Sequence, residues 1–168
     1  PTMTVKDPIH LLKREHDATL AHLDRMELAV ADLSGARRAA ALETLQQGLD
    51  FLEEEIRAHG KLEEEVLYPA LGLHVPKQTV DVMLEEHKEL WWEMDLLRSA
   101  LRRQEPPTNE VRWHAIALID LLRRHIDKEN NVIFLMTAQM LSEQEYRDLA
   151  EALTRMYEAR RCCRSKST

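Results

Sequence analysis

The sequence has little of what builds β-sheet, disulfide-bonded or membrane-spanning proteins. Only four of its 168 residues are glycine and six are proline, a composition that favours long helices over a turn-rich β fold. Its two cysteines, Cys162 and Cys163, are adjacent, so they provide neither a disulfide framework nor a metal-binding motif. No apolar run approaches the roughly 20 residues that cross a bilayer. The sequence therefore predicts a soluble, cytoplasmic protein that does not contact a membrane.

Charge and length narrow the class of protein further. The net charge of −7 argues against nucleic acid as a partner. A chain of this length fits one domain with a buried core. We predict a single domain over residues 1–160, which includes a C-terminal helix over residues 142–160. The basic segment 161–168 follows, and we predict that this tail is disordered.

Turn residues divide the chain into four long segments and a shorter fifth. The breaks fall at residues 32–35, 71–76, 103–108 and 141–142. Asp7 before Pro8 predicts an N-cap and first turn for the first helix. Ser142 with Glu145 three residues later predicts a capping box for the fifth. The sequence therefore predicts five helices.

Apolar residues recur at steps of three or four along the four long segments, as in helices packed around one core. We call each such row of inward-facing positions an apolar seam. The seam ends in Val66 and Ala70 in the second segment, and in Val132 and Met136 in the fourth. Short loops make neighbouring helices antiparallel. We therefore predict an all-α fold, an up-down-up-down four-helix bundle with an additional C-terminal helix.

Six ionisable residues interrupt these apolar seams. Apart from Thr19, the polar seam positions are His16, His59, Glu63, His87, His125 and Glu129. Burying such groups without partners is costly, so they must lie close together and be satisfied there. Their distances from the helix ends place all four histidines in one layer of the bundle, and each glutamate follows its histidine by one turn. The sequence therefore predicts six metal ligands that converge on one point.

The second helix pair repeats the first. Residues 59–68 and 125–134 both read H-x-x-x-E-x-x-V-[LI]-aromatic, and a Glu-His dipeptide occurs at 15–16 and again at 86–87. Two equivalent half-sites suggest two metal ions, with one carboxylate from each half available to bridge them. Imidazole and carboxylate ligands without thiolate suit iron, manganese or zinc, and six side chains exceed what tetrahedral zinc needs.

One order of residues carries a family resemblance. It is His16, His59-x-x-x-Glu63, His87 and His125-x-x-x-Glu129. Over about residues 7–140 the chain resembles the hemerythrin-like, or HHE cation-binding, domain. The resemblance implies two iron ions in an oxo- or hydroxo-bridged centre, with the histidines as terminal ligands and Glu63 and Glu129 as bridges. Trp91 and Asn130 stand where oxygen-carrying members have further ligands, so the chain is more similar to the bacterial four-histidine, two-glutamate type.

Several functions follow from this resemblance. The first is binding of a small ligand, O2, NO or peroxide, in an oxygen, nitric-oxide or redox response. Alternatives are a di-iron oxidoreductase that acts on peroxide or NO, and storage or donation of iron for repair of damaged iron centres. A further alternative is a helical interaction module with a structural metal, in which the C-terminal helix contacts a protein partner or a second copy in a homodimer. The sequence predicts no catalytic residue and leaves open whether the chain is an enzyme.

Overall fold

The computed structural model describes residues 7–164, and within this range the chain forms five helices and no strands. The helices are α1 (Pro8–Asp32), α2 (residues 38–72), α3 (Lys77–Leu101), α4 (residues 108–140) and α5 (Glu143–Arg164). The predicted all-α fold is confirmed, and the helices break where the sequence places the turns. None of these helices is long and apolar enough to span a membrane.

Local sequence signals start the first and last helices. The Asp7 side chain accepts a hydrogen bond from the backbone N–H of Ile9 at 3.0 Å. At the start of α5, the Glu145 carboxylate accepts from the Ser142 N–H at 2.8 Å. The Ser142 hydroxyl in turn accepts from the Glu145 N–H at 3.3 Å. The predicted N-cap and capping box are both confirmed.

The first four helices close a ring in which α1 packs against α2 and α4, and α3 packs against α2 and α4. At one end, Arg38 at the start of α2 donates a hydrogen bond to the carbonyl of Pro106, before α4, at 2.5 Å. At the other end, His74 after α2 lies 2.8 Å from the Glu145 carboxylate of α5. This is the predicted up-down-up-down order, with α5 added outside the ring.

The apolar core has two parts along the bundle axis. One part fills the end near the α1–α2 loop and includes Leu23 and Leu49. The other part fills the opposite end, where Leu149 and Leu153 of α5 pack with Leu62. The six predicted ligands lie between these parts, and none has more than 3% of its surface exposed. The polar layer is therefore enclosed by apolar packing at both ends.

Three π-helical turns interrupt the helices that carry the glutamates. They are Leu52–Ile56 and Glu63–Leu67 in α2, and Glu129–Ile133 in α4. The backbone N–H groups of Tyr68 and Phe134 bond to carbonyls five residues back, those of Glu63 and Glu129. A π turn holds one more residue than an α turn, and such turns are frequent at functional sites.

The π turns shift the buried positions that follow each glutamate. The next fully packed residues are Leu67 and Ile133, four positions after Glu63 and Glu129. The prediction that Val132 continues the buried seam is wrong, because the extra residue in the turn rotates it outward. Val132 is 47% exposed.

Helix α5 extends past residue 160, where the sequence analysis ends it, and reaches Arg164. The segment 159–164 contains neither glycine nor proline, so no residue there breaks the helix. Residues 165–168 of the predicted disordered tail lie outside the described residues. The domain boundary at residue 160 stays a prediction.

Candidate metal centre

The structure brings all six predicted ligands together in one buried layer. They form two overlapping groups of four, and both glutamates belong to each group. Half-site 1 adds His16 and His59 to the glutamates, and half-site 2 adds His87 and His125. Within each group the candidate ligand atoms all lie within 4.8 Å of one another. The two half-sites follow the internal repeat of the sequence.

All four imidazoles turn their Nε2 atoms toward the interior. Nε2 of His16 lies 3.0 Å from Nε2 of His59 in half-site 1. The same distance separates Nε2 of His87 from Nε2 of His125 in half-site 2. Two facing ring nitrogens repel each other if both present lone pairs, unless a cation or a proton lies between them. The arrangement therefore favours bound positive charge.

An oxygen atom outside the layer holds Nδ1 of each imidazole. The pairs are His16 with Asn130 Oδ1 at 2.9 Å, His59 with Glu15 at 2.7 Å, His87 with Glu64 at 2.6 Å and His125 with Glu86 at 2.9 Å. Because these oxygens accept hydrogen bonds, each Nδ1 carries the proton and donates it. The Nε2 lone pairs are then free to bind a metal, and the ring planes are fixed.

The sequence analysis did not identify these outer partners. The repeated Glu-His dipeptides mark Glu15 and Glu86, but each of them holds a histidine of the neighbouring helix. Glu64 lies in the acidic run of residues 63–65, which by itself is typical of a solvated helix face, yet Glu64 reaches His87. The repeat contains a signal for two of these partners, because Glu64 and Asn130 occupy the same repeat position, directly after the candidate ligands Glu63 and Glu129.

Each buried glutamate has one oxygen near each half-site. Oε1 of Glu63 lies 2.9 Å from Nε2 of His59, and its Oε2 lies 3.4 Å from Nε2 of His87. Oε2 of Glu129 lies 3.1 Å from Nε2 of His16, and its Oε1 lies 3.5 Å from that of His125. Neither Oε2 atom has a hydrogen bond. Such buried carboxylate oxygens are costly, and metal ions shared by the two half-sites would satisfy them.

Electrostatics in the layer also favour a cation. Burial opposes protonation of His59, but the charges of Glu63 and Glu15 raise its pKa well above the ordinary value. Burial likewise opposes protonation of His125, and Glu129 raises the pKa of His125. For Glu129, burial favours the neutral acid, yet the neighbouring histidines hold the pKa well below its usual range. The layer thus combines negative carboxylates with a strong preference for positive charge beside them.

Two aromatic residues close the side of the layer nearer α5. The Tyr68 hydroxyl donates a hydrogen bond to Oε1 of Glu129 at 2.5 Å, and burial together with Glu63 raises the pKa of Tyr68 well above its ordinary value. Phe134, its counterpart in the repeat, stacks on His16 with ring centroids 5.4 Å apart. Tyr68 therefore does more than fill apolar space, because its hydroxyl contacts a candidate ligand.

A small cavity adjoins the layer on the side of the α1–α2 loop. Its volume is about 10 Å³, close to the space that one water molecule needs. Besides the six ligands, its wall is formed by Ile56, Gly60, Leu90, Trp91, Leu122 and Ile126. The Trp91 ring lies 5.4 Å from the His87 ring, and a Cβ at Gly60 would come within 2.9 Å of the indole. Glycine at position 60 therefore lets Trp91 pack over the site.

A helical bundle with a buried layer of histidines and glutamates defines a cation-binding protein. The chain belongs to the hemerythrin HHE cation-binding domain family, which matches residues 7–137. It is 28% identical over 136 residues to the iron-sulfur cluster repair protein YtfE of Escherichia coli O1:K1 and to that of Escherichia fergusonii. The match covers 74% of this chain and 62% of each relative, so the chain spans less than two thirds of their length. No solved structure gives a significant match.

Proposed function

We propose that the chain binds two iron ions in the buried layer. His16 and His59 would hold one ion, His87 and His125 would hold the other, and both glutamates would be shared. The observation that carries this proposal is the pair of overlapping ligand groups, in which every Nε2 faces inward. Imidazole with carboxylate suits iron, and the family to which the chain belongs supports a cation at this place.

The proposal includes a small ligand, O2, NO or peroxide, at the iron pair. Iron, when bound, supplies redox change and open coordination positions. The outer oxygens of the chain orient the histidines, and the Tyr68 hydroxyl holds Glu129. The cavity favours a very small ligand over a larger substrate, since its volume is close to that of one water molecule and its wall outside the candidate ligands is apolar. A cytoplasmic location remains a prediction from the sequence.

Metal analysis and visible spectra test the iron proposal. The chain purified from iron-supplemented cells should hold two irons, with near-ultraviolet bands that bleach on dithionite and return with oxygen. Glu63→Gln keeps the side-chain size but removes a shared charge, so it should lose at least one of these irons. Glu65→Gln is the matched control, because the Glu65 side chain is 53% exposed and pairs only loosely with Lys61, at 3.6 Å.

Two results would contradict the proposal. One is a wild-type chain that contains zinc or no metal. The other is a Glu63→Gln variant that keeps both irons and the wild-type spectrum. A wild-type spectrum that is unchanged by both oxygen and NO would leave the iron site but remove the small ligand from the proposal.

A second candidate function is iron donation, and the relatives favour it because they are named as iron-sulfur cluster repair proteins. This function requires that iron leave the site readily. The iron-loaded chain would be mixed anaerobically with an iron-sulfur protein stripped of iron, and transfer would be followed by the acceptor's absorbance. Iron that stays with the chain for hours would contradict donation.

A further inference from the structure

Two side chains of α5 hold a carboxylate beside half-site 1. The Tyr157 hydroxyl donates a hydrogen bond to Oε2 of Glu15 at 2.8 Å, and Arg160 donates to Oε1 at 3.3 Å. The same Oε2 accepts the hydrogen bond from Nδ1 of His59 at 2.7 Å. Direct contacts therefore run from α5 through Glu15 to a candidate metal ligand.

The Arg160 side chain also ties α5 to α2. It donates to Oε2 of Glu55 at 3.0 Å, and its guanidinium lies 5.5 Å from the Tyr157 ring. The Arg160 and Glu15 side chains are only 20% and 22% exposed, so water competes weakly for these hydrogen bonds. Glu15 therefore accepts hydrogen bonds from two helices, from α2 through His59 and from α5 through Tyr157 and Arg160.

The internal repeat shows which residue holds the corresponding outer carboxylate beside half-site 2. Glu86 stands where Glu15 stands in the first half, and it accepts from Nδ1 of His125 at 2.9 Å. Lys128 of α4 binds the other oxygen of Glu86. The Lys128 side chain is 45% exposed. In half-site 2, the positive charge that holds the outer carboxylate therefore comes from Lys128, on one of the four bundle helices.

The residue that corresponds to Lys128 in the first half is Leu62. Leu62 is fully buried in the part of the core that contains Leu149 and Leu153 of α5. A lysine at this position would have to bury its charge beneath α5. The leucine instead lies in the apolar cluster that α5 completes. Helix α5 carries Tyr157 and Arg160, which donate hydrogen bonds to Glu15.

We propose that α5 positions one half of the metal centre, through Tyr157 and Arg160 acting on Glu15 and thereby on His59. This inference rests on the proposed function, since it assigns unequal control to the two proposed iron sites. Tyr157 and Arg160 are positioning residues, because their hydrogen bonds go to Glu15 and Glu55 and not to a candidate ligand. Half-site 1 depends on the docking of α5, whereas half-site 2 depends on Glu86 and Lys128 within the bundle.

Stepwise anaerobic titration of iron(II) into the full chain tests this inference, together with Mössbauer spectra of the loaded protein. Tyr157→Phe combined with Arg160→Gln keeps most of the packing but releases Glu15. Loss of such an outer partner should weaken one of the two iron equivalents by about 10- to 100-fold and change one of the two iron environments. The other equivalent should bind as in the wild-type chain.

The matched control is Tyr146→Phe, which removes a hydroxyl from the same helix. The Tyr146 hydroxyl donates to Asp7, the N-cap of α1, at 2.9 Å, so loss of this hydroxyl loosens α5 and leaves the hydrogen bonds of Glu15 in place. We expect both iron affinities to stay at the wild-type level in this variant. Equal weakening by Tyr146→Phe and by the double variant would show a general docking effect and overturn the inference, as would a double variant with wild-type affinities.

A second readout does not depend on iron. The Nδ1 proton of His59 should give a downfield proton resonance that exchanges slowly with water in the wild-type chain and in Tyr146→Phe. In the double variant this resonance should exchange faster, and an unchanged exchange rate would overturn the inference. A wild-type chain that binds no iron but shows this exchange pattern would contradict only the proposed function.

Discussion

Each histidine of the buried layer has two different neighbours, and this explains how the core tolerates it. One ring nitrogen donates to an outer oxygen, and the other faces the interior with the glutamates. The outer oxygens differ between the halves at one repeat position. His87 has a carboxylate from Glu64, whereas His16 has the neutral amide of Asn130. A carboxylate partner makes an imidazole a stronger donor to a metal, so the two halves are not equivalent.

Exchanging these two outer groups should change iron retention in opposite directions. Glu64→Gln should release one iron about tenfold faster into a ferrous chelator, because His87 loses its charged partner. Asn130→Asp should slow release, because His16 gains one. The measurement is the release rate of each iron under anaerobic conditions. Equal rates for the wild-type chain and both variants would contradict this role of the outer partners.

At the scale of the helix, the π turns reconcile ligand spacing with burial. From His125 the buried positions continue at steps of four through Glu129, Ile133 and Thr137. In a regular α-helix, each step of four advances the side chain by about 40° beyond a full turn. The π turn Glu129–Ile133 absorbs part of this drift, so that the glutamate and the following apolar residues face the same interior.

The start of α5 should depend on pH through its capping box. The backbone N–H and hydroxyl of Ser142, together with His74, lower the pKa of Glu145 from 4.5 to about 2. Because the folded pKa lies below the unfolded value, this stabilisation is complete above about pH 4.5 and is lost as the pH falls through about 2. Ser142→Ala keeps the backbone N–H but removes the hydroxyl, so it should raise the pKa of Glu145 part of the way toward 4.5.

Carbon-13 NMR of the Glu145 carboxyl group measures this shift directly. His74→Ala serves as the comparison, because His74 lowers the same pKa through a separate contact and its loss should also raise the pKa of Glu145. A Glu145 pKa that stays near 2 in Ser142→Ala would show that the serine hydroxyl does not help to lower it.

At the scale of the molecule, the six candidate ligands come from four different helices, so the complete candidate site exists only in the folded chain. Binding to the folded state alone adds about 2.7 kcal/mol of stability when the free metal exceeds its dissociation constant 100-fold. Iron(II) should therefore raise the urea midpoint of the wild-type chain under anaerobic conditions. Glu63→Gln should lose most of this gain, and an iron-independent midpoint in the wild-type chain would contradict the coupling.

Much of this molecule follows from the sequence by itself. The periodic apolar seams and the scarcity of glycine determine an all-α bundle, because only helices bury residues at steps of three and four. The six polar seam residues determine the place of the candidate site, because buried charges must gather and be satisfied. The starts of α1 and α5 were also predictable, since Asp7 and the Ser142–Glu145 capping box form hydrogen bonds with backbone groups only a few residues away.

Only the tertiary structure decided what lies around the site. The side chains of Glu15, Glu64 and Glu86 are partly exposed, and the histidines that they bind lie on other helices, far away in sequence. The place of α5 was also undetermined, because one apolar face fits a bundle, a partner or a second copy equally well. Its packing on Leu62 and the reach of Tyr157 to Glu15 depend on the shape of the assembled bundle, which local periodicity does not encode.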